Sequence, residues 1–226
     1  MMRGRVDGLV VMSPHIDARA MNENLPQSLP VVLLNCYIDG GSFDSLNLDN
    51  FSGAFRMVEH LISHGHTRIA IIRGTEKNID ASERLRGYRA AIGERGAEQD
   101  PALEVEGNFS EAGGYDAVKK LLSLPRRPQA IFASNDSMAI GALSALREEG
   151  VRVPGEIALA GFDDVPVASY LAPSLTTVHV GIHDLGVRAL STVLRAVREK
   201  NSHLKQQVIL STEVRLRESC GCMHHD

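Results

Sequence analysis

The chain has 226 residues, a formal net charge of −4, 43% apolar residues and 23% charged residues, ordinary composition for one large α/β domain or two smaller lobes. Its basic residues are scattered rather than gathered on one stretch, which argues against unaided nucleic-acid binding, and no apolar run approaches the roughly 20 residues of a membrane span. Three cysteines, Cys36, Cys220 and Cys222, make no disulfide framework, and the opening Met-Met-Arg-Gly-Arg lacks a secretion signal's long apolar stretch. A reducing, cytoplasmic setting is therefore expected.

Short apolar, β-rich runs alternate with helical stretches. Residues 6–12 (Val-Asp-Gly-Leu-Val-Val-Met) and 30–35 (Pro-Val-Val-Leu-Leu-Asn) read as buried strands. Residues 68–73, 130–133 and 157–161 follow, all Val/Ile/Leu/Ala-rich, as parallel strands covered on both faces are. Between them, residues 51–64 place Phe51, Ala54, Phe55, Val58, Leu61 and Ile62 on one helical stripe, with Asp49 or Asn50 as N-cap and Gly65 as terminator. Residues 84–94, 112–122, 137–149 and 182–200 read as further helices. This alternation predicts βαβ units and an α/β fold with parallel sheets.

In open parallel sheets, ligands bind beyond the carboxyl ends of the strands. Here those ends offer Met12 and Ser13, Asn35, the loop 74–84, Asn135 with Asp136, and Asp163 with Asp164. Carboxylates accept hydroxyl protons, amides donate and accept, and an arginine donates a fork, so the set suits a polyhydroxylated or heterocyclic small molecule.

Five segments in order resemble the LacI/GalR family of bacterial transcription regulators: Gly65-His66-Thr67-Arg68-Ile69-Ala70 running to Gly74; Arg84-Leu85-Arg86-Gly87-Tyr88; Ala133-Ser134-Asn135-Asp136-Ser137-Met138-Ala139-Ile140-Gly141; Gly161-Phe162-Asp163-Asp164; and Pro173-Ser174-Leu175-Thr176-Thr177-Val178. With Val6-Asp7-Gly8 ahead and Val214-Arg215-Leu216-Arg217-Glu218-Ser219 behind, they span nearly the whole chain. The resemblance implies a periplasmic-binding-protein-like fold of two Rossmann-like lobes. Residues 1–47 and 179–208 would form a partial N-terminal lobe, and residues 48–178 and 209–226 a C-terminal lobe. It also implies an effector-sensing and dimerisation domain: a homodimer that takes a sugar-like or nucleoside-like effector in the cleft, reads DNA only through a headpiece not present here, and has no membrane partner.

Matched position by position, the resemblance puts Asn35, Asp80, Arg84, Phe109, Asn135 and Asp163 at effector contacts, with Met12 and Ser13 beside them. Arg84 would grip hydroxyls or a carboxylate in bidentate fashion, with Asp163 facing it across the cleft, and Phe109 would stack on the ligand. Asn135 is taken to face the ligand, with Asp136 mainly structural, although both could serve helix capping. The family's chain carries a helix-turn-helix, a hinge helix and two βα units ahead of the Val-Asp-Gly strand, so this first lobe is expected to be incomplete, with an unpaired sheet edge.

Other chemistry finds little footing. His60 and His64, four apart on one helix, read as a solvated C-terminal turn rather than a metal pair. The tail Cys220-Gly-Cys222-Met-His224-His225 reads as an adventitious rather than a physiological metal site. Phosphate-loop, dinucleotide, Gly-x-Ser-x-Gly and HExxH spacings are absent. The expectation is therefore a non-enzyme without cofactor or metal. A solute-binding module for uptake and the ligand-sensing input domain of another signalling protein are the alternatives. Pentose, hexose and nucleoside suit the polar set equally.

Overall fold

A computed structural model describes residues 6–12, 21, 23–26, 28–36, 43–199 and 203–221. It divides into two compact units, one comprising residues 1–49 and 181–211, the other residues 50–180 and 212–226. Each is an α/β unit with a predominantly parallel sheet.

The first unit is built on β1 (Leu9–Met12), β2 (Val31–Leu34), β3 (Asp44–Leu48) and β9 (Gln207–Leu210), in the order β1-β2-β3-β9 and all parallel. Val32, Leu34 and Leu46 turn one face of the sheet toward Leu185, Ala189 and Val193 of helix α5 (Ile182–Glu199). Val31, Leu33 and Cys36 turn the other face toward Met21, Leu25, Leu29 and Phe43. Asp44, buried at the start of β3, bonds His203 Nε2 at 2.9 Å and accepts from the Gln206 amide at 2.9 Å, which ties the approach to β9 against its neighbour. Strand β1 stands at the sheet edge and, among the described residues, pairs only with β2. Val10 and Met12 are exposed along it.

The second unit holds β4 (Ile69–Arg73), β5 (Glu104–Glu106), β6 (Ala130–Ala133), β7 (Ala158–Asp163), β8 (Thr176–His179) and β10 (Glu213–Arg215). Their order is β10-β8-β7-β6-β4-β5, with β10 alone antiparallel. Helices α1 (Asn50–Ser63) and α2 (Ile79–Arg95) pack together, as do α3 (Glu111–Leu122) and α4 (Asp136–Glu148). Strand β6 is buried end to end and β4 up to its last residue, Arg73, which is why they carry apolar runs rather than alternation.

Helix boundaries follow capping chemistry. Asn78, Ser110 and Asn135 each accept a backbone N–H from the first turn of α2, α3 and α4, offsetting donors the helix leaves open. Helix α2 thus begins at Ile79, five residues ahead of the sequence expectation, because Asn78 caps a turn the apolar pattern alone does not reveal. Strands β3, β5, β8, β9 and β10 were not among the expected strands. The first is Asp-Ser-Leu-Asn-Leu and β8 begins Thr-Thr, both nearly all buried, so polar residues lie where the pattern calls for apolar ones.

Helices α3 and α4 meet at reciprocal glycines. A Cβ at Gly114 would collide with the Met138 carbonyl, and one at Gly141 with the Glu111 carbonyl. Neither backbone can yield without shifting a helix against the packed core. Gly141→Ala is accordingly expected to lower unfolding free energy by about 1–3 kcal/mol through overpacking; a urea unfolding midpoint equal to that of the parent would contradict this reading of the contact.

Candidate functional site

The polar set of the second unit gathers around one buried guanidinium. Arg84, on the second turn of α2, is 5% exposed. Its Nε donates to Asn50 Oδ1 at 2.8 Å and its Nη1 donates to the Ser134 carbonyl at the end of β6. The guanidinium lies 3.8 Å from the centroid of the Phe162 ring, and Nη1 is 3.5 Å from Asp163 Oδ1. Burial weakens its hold on the proton, and Asp163, Asp80 and Asp136 counter that, so the charge stays in place. Asn50 also donates Nδ2 to Asp80 Oδ1 at 2.8 Å. Burial pushes the Asp80 and Asp163 carboxyls up, with Arg84 opposing.

This corrects two expectations. Asp163 belongs to the same unit as Arg84 and pairs with it directly, rather than facing it across a cleft. The arginine fork is also partly committed: Nε and Nη1 bond protein oxygens, because a buried charge must find internal partners. Among the described residues Nη2 makes no hydrogen bond.

Phe109 stands beyond β5, with Asn108 and Phe109 in left-handed backbone (φ 53° and 57°). Its ring lies over Gly74 beyond β4, where any Cβ would strike it, so glycine at 74 is what lets the ring reach the strand ends. Asn135 accepts the Met138 N–H at 2.8 Å as the α4 cap and donates Nδ2 to the Phe109 carbonyl at 3.3 Å. Its amide serves the scaffold and holds the Phe109 loop. Asp136 is structural, as expected: it is fully buried, accepting from Thr177 Oγ1 at 2.6 Å and from the Val165 amide at 2.9 Å.

In the first unit, Asn35 follows β2 with φ 51°. Its Oδ1, like that of Asn47 on β3, is buried and, among the described residues, has no hydrogen-bond partner, an acceptor that a hydroxyl donor would satisfy. Met12 ends β1 and is exposed. Ser13 lies outside the described residues, as do Cys222, His224 and His225. The His60 and His64 rings meet at a tilt with centroids 4.3 Å apart, and burial with neighbouring imidazoles pushes His60 down to about 4. Among the described residues no group of three or more His, Cys, Asp or Glu is disposed to hold a metal ion, and no helix is long and apolar enough to cross a membrane.

Sequence reasoning missed Asn50, which looked like a plain helix cap, and Phe162, which sat unnoticed inside Gly-Phe-Asp-Asp.

The profile of the periplasmic-binding-protein-like domain matches residues 58–220. A regulatory protein of the LacI family from Chloroflexus aggregans superposes with a TM-score of 0.86 at 31% identity, over 95% of this chain and 76% of that one. The chain belongs to the LacI family. The ribose operon repressor of Escherichia coli (strain K12) is 36% identical over 216 residues, 95% of this chain and 64% of that repressor; the chain thus spans under two thirds of its length. A LacI family transcriptional regulator from Enterococcus faecium with bound ribose superposes with a TM-score of 0.86 at 26% identity, over 95% and 79% of the two chains.

Within this LacI-family domain, Asp136 has a measurable electrostatic cost. Desolvation is the main cause of its carboxyl rising to about 7, partly offset by the Thr177 and Val165 hydrogen bonds. A folded-state value above the unfolded one means the native state binds the proton more tightly, so the contribution of Asp136 to stability is greatest below about pH 4 and is lost as pH rises through 7. Asp136→Asn can still accept from Val165 and can donate to Thr177. Relative to the parent, it is expected to gain up to about 4 kcal/mol between pH 4 and 8. Parallel pH profiles of thermal unfolding for the two proteins would refute this.

Proposed function

We propose that this chain is the effector-sensing domain of a LacI-type transcription regulator and binds a small polyhydroxylated ligand, a pentose or nucleoside, at the carboxyl ends of its strands. The observation that carries the reading is Arg84, buried with Nη1 3.5 Å from the Asp163 carboxylate and with Nη2 making no hydrogen bond among the described residues. A guanidinium donor next to a carboxylate acceptor suits vicinal hydroxyls, each of which both donates and accepts. Phe109 supplies an apolar ring for the opposite face of a sugar or base. Asp80 and Asn135 are proposed to act through Asn50 and the Phe109 loop, and Asn35, Met12 and Ser13, which the family resemblance singles out, are proposed as effector contacts contributed by the first unit. The relatives that favour a sugar are the ribose operon repressor and the ribose-bound regulator.

The regulator is proposed to be cytoplasmic and non-enzymatic, to bind DNA through a separate headpiece and to act as a homodimer. Exposed Val187, Leu190 and Leu194 on α5 provide apolar surface for such a partner. Binding that favours one conformation of the domain over another would then change DNA affinity by the same free energy.

Thermal-shift screening of pentoses, hexoses and nucleosides tests this directly. A ligand at 100 times its Kd adds about 2.7 kcal/mol, which for a chain of this size raises Tm by about 5–10 °C. Asp163→Asn is expected to keep the parent's unliganded Tm within a few degrees and to lose most of that ligand shift. Arg84→Ala should abolish the shift and also lower the unliganded Tm, since Asn50 and the Ser134 carbonyl lose their donor. An Arg84→Ala protein that still shows the parent's ligand shift would remove Arg84 from the site.

A further inference from the structure

Asp163 ends β7 with φ 117°, and Asp164 follows with φ 60°. Two successive non-glycine residues at positive φ persist only where surrounding structure determines them. Three separate segments do so here. Asp164 Oδ1 accepts from Arg217 Nη2 at 2.6 Å, and its Oδ2 bonds His179 Nδ1 at 2.9 Å. Arg217 is itself fixed: Nη1 donates to the Leu175 carbonyl at 2.7 Å, and its backbone exchanges hydrogen bonds with Thr176 Oγ1. The next residue, Val165, donates its amide to buried Asp136 at 2.9 Å.

Within this turn the two aspartates divide the work. Asp164 and the Val165 amide face inward to Arg217, His179 and Asp136. Asp163 alone carries its carboxylate to Arg84, 3.5 Å away, with its side chain about one-third exposed. We propose that Asp164 and Arg217 are positioning residues of the effector site: they hold the turn in its unfavourable backbone so that the Asp163 carboxylate stands beside Arg84, ready to accept ligand hydroxyls. Arg217 lies beyond β10, 53 residues from its partner Asp164, so the C-terminal segment would set effector affinity without touching the effector. This inference rests on the sugar- or nucleoside-binding reading given above.

Replacing Asp164 by glycine separates clamp from backbone. Asp164→Gly accepts positive φ freely but deletes both carboxylate bonds, so the fold keeps its turn while the turn loses its anchor. Titrating the whole chain with ribose should show at least a tenfold weaker Kd for Asp164→Gly and for Arg217→Met, with a smaller loss for Arg217→Lys, and Tm within a few degrees of the parent for Asp164→Gly. Wild-type ribose affinity in Asp164→Gly would overturn the proposal. If the parent binds neither ribose nor any nucleoside, the functional reading fails, and crystal structures of the parent and Asp164→Gly then decide the positioning claim by themselves. An Asp163 carboxylate displaced from Arg84 in the variant supports it, and an unmoved pair refutes it.

Discussion

A charge taken out of water is the constraint from which the second unit is best understood. Isolating a guanidinium in a protein interior costs several kcal/mol unless its donors are met, and Arg84 is met from four directions. These are the first residue of α1, the carbonyl ending β6, the aromatic face within β7 and the carboxylate ending β7. Each of those groups must arrive at the same point, so the register of β6 against β7 and the packing of α1 on α2 are coupled to one side chain. Asn50 extends the arrangement to Asp80, so a carboxylate of α2 and the amide of α1 support the arginine together. Such a group is structurally expensive and chemically useful for the same reason: a low-dielectric setting strengthens whatever hydrogen bond it makes next.

Close approach of backbone does the remaining construction. Gly74 lets the Phe109 ring settle over the end of β4, and Gly161 makes room for the Asp136 carboxylate within the sheet. Both glycines sit in the segments that first suggested the family, and both are explained by contact geometry rather than by flexibility. Asp136 fills the space at Gly161 with a carboxyl pushed up to about 7 by burial, because it is the joint between β8, through Thr177, and the turn after β7, through Val165. The unit accepts an electrostatic penalty at that joint in return for fixing the turn that carries Asp163.

The central strands β4, β6 and β7 were legible because burial on both faces leaves an apolar signature, and the stripe of α1 was legible at Ala54, Val58 and Leu61, which are buried. The polar strands were not, since Ser45, Asn47, Thr176 and Thr177 are buried through specific pairing or left as acceptors, and nothing in a hydropathy pattern distinguishes these from loop residues. In the site, Arg84 and Asp163 were legible as types at strand and helix ends, but their mutual distance was not: a motif gives the order of residues along the chain and leaves open which side chains the fold brings into contact. Asn135 shows the limit most directly. Its identity fits both a ligand contact and a helix cap, and only the Met138 amide and Phe109 carbonyl at its two ends reveal where its hydrogen bonds go.

Among the described residues, every non-glycine position with positive φ lies just beyond the carboxyl end of a strand or closes one: Asn35 after β2, Asn108 and Phe109 after β5, Asp163 and Asp164 at the end of β7. Left-handed backbone costs on the order of 1 kcal/mol or more for residues of this kind and survives only where neighbours impose it. Chain geometry alone does not require it there, since short βα connections are routinely made without it. The common property of these positions is instead that they aim an amide, an aromatic ring or a carboxylate away from the sheet at the edge where open parallel sheets bind ligands. Strain confined to that edge, in both units, is what a domain selected for presenting side chains would show, and a domain selected for stability alone would have replaced it with glycine.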